Sequence, residues 1–285
     1  MQPFEPSEIP ESTLSTLITA DGRTLAVQDW MQQSTVRGVV LVVHGLGEHS
    51  GRYDALAGQL NAWGFAVRAY DQHGHGHSNG VRGSLPGDTT LLDDLADVVD
   101  DARSHMAAEL PLILLGHSMG GLVAAQFVRL GIRPVDALVL SSPALDAGLS
   151  LFQKFLVKLL PKLTPNLRVG NGVKPHFISH DSKVVEAYQE DRLVHDRISA
   201  RLAAFIAKGG SEVIAAAPTW RVPTLLLYAG ADHLVNPLGS QRFAQAAPQS
   251  VVTTVRFNDL YHEIFNEREP TEVLAALCRW LDARY

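Results

Sequence analysis

Cysteine is all but absent from this chain: Cys278 is the only one among 285 residues. A lone thiol forms no internal disulfide, so oxidation contributes nothing to the fold. It falls in an apolar helical pattern with Val273, Leu274, Leu277 and Leu281, where a buried structural thiol is expected. Positive charge is also scarce. Lys and Arg number 24 against 30 Asp and Glu, a net charge of −6, and general nucleic-acid binding is not expected because phosphate contacts need a basic face. Long hydrophobic runs are missing too, since no apolar stretch approaches the ~20 residues of a membrane-spanning helix. The first ten residues carry acids and prolines without a basic start or an apolar run, unlike a signal peptide. The expectation is a soluble cytoplasmic protein.

What is present is apolar sequence in short, regularly punctuated segments, 46% of the chain in all. Residues 13–19 and 24–30 read as two strands around the turn Asp21-Gly22. Val39 to Val43 is a continuous apolar run typical of a strand buried on both faces, and it ends in the loop His44-Gly45-Leu46-Gly47. Helical spacing over 53–63, a strand over 65–70, an acidic helix with Leu92, Leu95, Val98, Val99 and Ala102 facing inward, and strands over 112–115 and 135–140 follow. This alternation is the signature of a mostly parallel, doubly wound α/β sheet. From residue 144 to 218 helical segments broken by prolines and glycines replace it, which predicts an inserted helical cap; strands at 223–228 and 251–257 and helices at 238–247 and 271–283 then close the core. The expected division is a core of residues 1–143 and 219–285 and a cap of residues 144–218.

The apolar run Leu112 to Leu115 stops at Gly116-His117-Ser118-Met119-Gly120 and continues into a helix-forming segment. A G-x-S-x-G pattern between strand and helix is a nucleophile elbow, in which small residues let the turn tighten until the serine hydroxyl stands exposed. A serine hydroxyl is a weak nucleophile at neutral pH and needs a base and an acid that orients the base. Behind such an elbow the acid and the base follow in that order, from loops after later strands. Asp232, in Ala229-Gly230-Ala231-Asp232-His233, and His262, in Asn258-Asp259-Leu260-Tyr261-His262, occupy those places. Asp259 competes with Asp232 and His233 with His262, but each would have to fold back on its sequence neighbour. The tetrahedral oxyanion calls for two backbone donors, expected at Met119 and at Leu46 in the first glycine loop.

Of twelve histidines, His73, His75 and His77 alternate with glycines. No Cys, Asp or Glu pattern completes a catalytic zinc set, so the tract is read as a tight loop, with no metal and no cofactor expected.

With elbow, acid, base and oxyanion loop in place, the chain resembles the α/β-hydrolase superfamily over nearly its whole length. His44 to Tyr53, Asp71 with Gly74 to Ser78, Gly116 to Gly121, and Asp232 to Val235 look like the monoacylglycerol lipase and lysophospholipase group of serine hydrolases. The resemblance implies an α/β-hydrolase fold and hydrolysis of carboxylic esters of single-chain lipids, above all monoacylglycerols, with Ser118, Asp232 and His262 as triad and Leu46 and Met119 at the oxyanion hole. A general carboxylesterase, a lysophospholipase or a small-peptide hydrolase would use the same machinery; a hydrolase-fold protein that binds without cleaving is the reading from another class. The resemblance also places Glu48 and Arg52 near the head-group pocket, while an ion pair bracing the loop explains them equally well. Arg192 stands where a proline is often found, and Phe265 where some members carry a second polar group. In the cap, Phe152, Phe155, Leu156, Leu159 and Leu160 share one helical face, with Lys154 and Lys158 on the other. That face is expected either to bind the acyl chain and cover the core or to rest transiently on a lipid surface at the membrane periphery.

Overall fold

The computed structural model describes residues 11–31, 35–148 and 151–285, apart from the side chains of residues 151, 152, 154 and 155. Ser12–Ile18 (β1) and Thr24–Trp30 (β2) form the expected hairpin, pairing Thr13 with Asp29. Gly38–Val43 (β3), Asp54–Ala62 (α1), Phe65–Tyr70 (β4), Thr90–His105 (α2), Leu112–His117 (β5), Ser118–Leu130 (α3) and Ala137–Ser141 (β6) continue the alternation. Thr224–Ala229 (here β9), Pro237–Ala246 (α7), Val252–Phe257 (β10) and Thr271–Asp282 (α8) complete it after an excursion. That excursion carries Leu151–Leu163 (α4), Arg168–Gly170 (β7), Ser182–Glu190 (α5), Arg197–Ser199 (β8) and Ala200–Ala216 (α6).

Among the described residues the main sheet runs β1-β2-β4-β3-β5-β6-β9-β10, with β1-β2 and β2-β4 antiparallel and every later pair parallel. Alternate residues feed opposite faces. Leu41 and Val43 of β3 and Leu114 of β5 meet α2 and α3, whereas Val40, Val42, Ile113 and Leu115 meet α1 and α8. Complete burial of such a side chain stabilises the fold by about 1.5–3 kcal/mol, and the central strands read as continuous apolar runs because both faces are covered.

The chain leaves β3 for β4 on one side and returns to β5 on the other. Order therefore reverses between β3 and β5, and ligands of open α/β sheets lie outside the carboxyl ends at such a switch point. The pairing of Val43 with Gly116 sets the His44 loop beside the Ser118 turn.

Three local expectations are corrected. Cys278 is half-buried near the helix surface, its thiol 3.4 Å from Asp282 Oδ2, because α8 turns it away from the Leu277 and Leu281 stripe. The strand expected from Val135 starts at Ala137; Asp136 instead accepts from the Leu112 N–H and from Arg103. The pair β7-β8 was not expected, since three-residue, largely exposed strands carry no periodic signal.

Candidate active site

Ser118 opens α3 at a φ of 53°, a left-handed conformation that costs a non-glycine residue on the order of 1–3 kcal/mol. Tight packing below the turn holds it there. Gly120 lets α3 rest on the end of β3, where an added Cβ would lie 2.0 Å from the Val43 carbonyl oxygen. Ser118 borders a cavity of about 210 Å³ that Leu46, Met119 and His262 also line.

Asp232 follows β9 and His262 follows β10, and the two meet. Asp232 Oδ1 accepts from the backbone N–H groups of Leu234 and Val235 at 2.8 and 2.9 Å, and Oδ2 lies 2.6 Å from His262 Nδ1. The two side chains are only 6% and 4% exposed for His262 and Asp232. Burial opposes charging of the imidazole, but the Asp232 carboxylate outweighs it and holds His262 above its ordinary value. Burial opposes ionisation of Asp232 as well; the facing imidazole and the backbone hydrogen bonds outweigh it and hold the carboxyl below its usual range. An ionised Asp232 keeps the proton on Nδ1, so Nε2 is the nitrogen left to accept a proton. The competitors are elsewhere: His233 is exposed and its ring lies 4.3 Å from that of Phe177, while Asp259 is exposed.

His117, the residue before Ser118, is buried with its ring 4.8 Å from that of His262 and its Nδ1 3.1 Å from Ser141 Oγ. Burial and the nearby His262 push its pKa down to about 4, so it is neutral beside His262 at neutral pH.

Glu48 and Arg52 form an ion pair and also line the cavity. Glu48 Oε1 accepts from the Gly45 N–H at 2.5 Å and from the Tyr53 hydroxyl at 2.8 Å; Oε2 accepts from Arg52 at 2.7 Å. Arg52 also forks onto both oxygens of Glu263 at 2.7 and 2.8 Å. Glu263 was not singled out from the sequence. Its signal was its position directly after His262, which an exposed acid would show equally. Two carboxylates around one guanidinium leave one negative charge in excess, which adds to the stabilisation of a charged His262.

The excursion between β6 and β9 supplies much of the apolar wall. Val157, Val173, Ile178, Ile198 and Ile206 face the cavity, together with Val235 from the core. Among the described side chains of α4, Val157 lines the cavity, whereas Leu156, expected there from the helical face, is absent from the lining. The Phe152 and Phe155 side chains fall outside the described residues. Tyr188 of α5 stacks on the Arg52 guanidinium at 4.8 Å. The excursion also ties to the first glycine loop through the His195 N–H, which donates to the Gly47 carbonyl at 2.9 Å, and through His49 and Asp191 at 2.7 Å.

In the histidine tract, His75 is fully buried, 5.2 Å from the His44 ring and 4.7 Å from His195. Among the described residues no group of three or more His, Cys, Asp or Glu side chains is placed to hold a metal ion. No helix among them is long and apolar enough to cross a membrane.

Residues 34–269 match the family described as Serine aminopeptidase, S33. A monoacylglycerol lipase of Mycolicibacterium smegmatis is 34% identical, with 88% of this chain and 90% of that one covered. An uncharacterized abhydrolase domain-containing protein of Dictyostelium discoideum is 33% identical over 96% of this chain, which spans only 29% of that longer protein. Among solved structures, the monoacylglycerol lipase of Paleococcus ferrophilus superposes with a TM-score of 0.80 at 32% identity, covering 96% of this chain and 100% of the other.

Proposed function

The chain belongs to the Serine aminopeptidase, S33 family, and from that premise we propose that it hydrolyses the ester bond of monoacylglycerols through an acyl-enzyme intermediate. Ser118 Oγ attacks the ester carbonyl while His262 Nε2 takes its proton, and the N–H groups of Leu46 and Met119 receive the oxyanion. Collapse breaks the acyl–oxygen bond and glycerol leaves with the proton from His262. Water, deprotonated by the same imidazole, then attacks the acyl-enzyme and releases the fatty acid and Ser118. Asp232 holds the imidazole tautomer and stabilises its charged form.

The observation that carries this reading is the mixed lining of the cavity at Ser118: apolar side chains suited to one acyl chain, and the Glu48, Arg52 and Glu263 group suited to a polyol. The similarity to monoacylglycerol lipases over most of both chains supports it. In this reading residues 144–218 cap a core of 1–143 and 219–285 and select the substrate. Exposed Leu159, Leu163, Leu167 and Val169, with exposed Lys158 and Lys162 beside them, support transient contact of that cap with an anionic lipid surface.

The test is a side-by-side assay of monoacylglycerols of graded chain length, diacylglycerols, lysophospholipids and an aminoacyl nitroanilide. Monoacylglycerols are expected to show the highest kcat/KM; a higher value for any of the other classes would replace the substrate assignment.

A further inference from the structure

We propose that His44 is a positioning residue of the oxyanion hole, aiming the Leu46 N–H at the reacting carbonyl by holding the far side of the same peptide. The inference rests on the reading of Ser118 as nucleophile and Leu46 as oxyanion donor, and deepens it.

The Gly45 carbonyl and the Leu46 N–H belong to one peptide unit, which is planar and trans, so the two groups point in opposite directions. Whatever holds the carbonyl sets the direction of the N–H. His44 Nδ1 lies 2.7 Å from the Gly45 carbonyl oxygen, which can only accept, so Nδ1 carries the proton. The other ring nitrogen agrees. The backbone N–H of Gln72 reaches Nε2 at 2.9 Å, and because that group can only donate, Nε2 presents its lone pair. Two obligatory partners therefore specify one neutral tautomer. A second proton would set Nε2–H against the Gln72 N–H, and burial also pushes the imidazole pKa down.

The ring is held as firmly as its protons. His44 is 1% exposed, its carbonyl accepts from Gln72 Nε2 at 2.6 Å, and its ring lies against that of His75. Gly45 is held on its other side as well, its N–H donating to Glu48. The peptide runs beside the nucleophile: a Cβ on Gly45 would stand 3.2 Å from Ser118 Cβ, and Leu46 borders the cavity. A donor fixed in this way needs no reorganisation when charge develops on the substrate oxygen.

The test compares His44→Ala, His44→Asn and His44→Gln with the wild type. An Asn side chain can place its amide N–H near the position of Nδ1, whereas a Gln amide reaches the position of Nε2. Two quantities are read, the kcat and KM for an ester and the Ki of a trifluoromethyl ketone, whose adduct with Ser118 carries the oxyanion. His44→Ala is expected to lower kcat by about 10²–10³-fold, the loss typical of one oxyanion donor, with KM little changed and Ki raised in step with the loss in kcat. His44→Asn should recover most of both and His44→Gln neither. If His44→Ala does not fold, the Asn and Gln variants alone decide. Unchanged kcat in the folded variants, a loss confined to KM, a Ki that stays put while kcat falls, or equal behaviour of Asn and Gln would overturn the proposal. A wild type that cleaves no ester defeats the functional reading and this inference together; a wild type that cleaves esters by way of Ser118 while the His44 variants match it defeats the inference alone.

Discussion

The crest of the sheet, where Ser118, Asp232, His262 and the His44 loop meet, and the excursion between β6 and β9 face the same cavity but are held in opposite ways. At the crest hydrogen bonds and ion pairs hold the side chains: Asp232 accepts three times, Glu48 three times, and Arg52 joins two carboxylates. The excursion meets the cavity with branched aliphatic side chains and leaves Leu159, Leu163 and Leu167 exposed on its outer surface. Hydrogen bonds are directional and tolerate few residue types, whereas an apolar wall asks only for volume. The crest is thus suited to fix the chemistry, and the excursion to tune what enters.

The contrast can be broken by variants that unpair a crest atom. Asp232→Asn keeps the shape but turns an acceptor into a donor and favours the wrong imidazole tautomer; kcat should fall by about 10⁴-fold. The pH profile should change with it. Because Asp232 holds His262 above its ordinary 6.5, and only the neutral imidazole accepts a proton, wild-type kcat/KM should rise with pH along a limb centred above 6.5. In the Asn variant burial is unopposed by that carboxylate, so the limb should move to lower pH. A limb that stays in place would show that Asp232 does not govern the base.

A smaller effect is expected from Arg52→Ala. It leaves Glu48 and Glu263 buried without their common cation, and removal of one partner from a buried ion pair typically destabilises by about 3–5 kcal/mol. Urea titration reads this as a lower midpoint at unchanged slope. A shift below about 1 kcal/mol would mean that the cluster behaves like a surface pair.

The smallest effects belong to the excursion. Replacing both Leu159 and Leu163 with Asp should alter stability by no more than about 0.5 kcal/mol per exposed site and leave turnover of a water-soluble short-chain ester unchanged. Adsorption to anionic vesicles should weaken by about tenfold, the effect of withholding part of two leucine side chains from the lipid. Unaltered adsorption would remove the proposed lipid-facing role.

The same contrast explains what could be read in the sequence. The core strands were legible because each is an apolar run that ends at a glycine, proline or polar turn, and their order gave the parallel sheet. Ser118, Asp232 and His262 stand out in the sequence as strand-end residues in a fixed order, and the structure brings Asp232 and His262 into contact and Ser118 and His262 to one cavity. Glu263 does not, since an acid beside a histidine carries no mark of burial until the chain folds and brings Arg52 across 211 residues. On α4 the helical period shows that one face must be covered without saying by what, and among the described side chains of that helix Val157, one position beyond Leu156, lines the cavity. His44 was read only as part of a glycine loop, because its role depends on Gln72, which folding brings to its Nε2 from the end of β4.

The most direct test of the central claim is the release of glycerol from a monoacylglycerol by the wild-type chain and by Ser118→Ala at equal concentration, with the Tm of both recorded. Turnover by the wild type and a fall on the order of 10⁶-fold in a folded Ser118→Ala variant are the predicted result. A wild type without turnover, or a Ser118→Ala variant that retains a substantial share of it, would contradict the account.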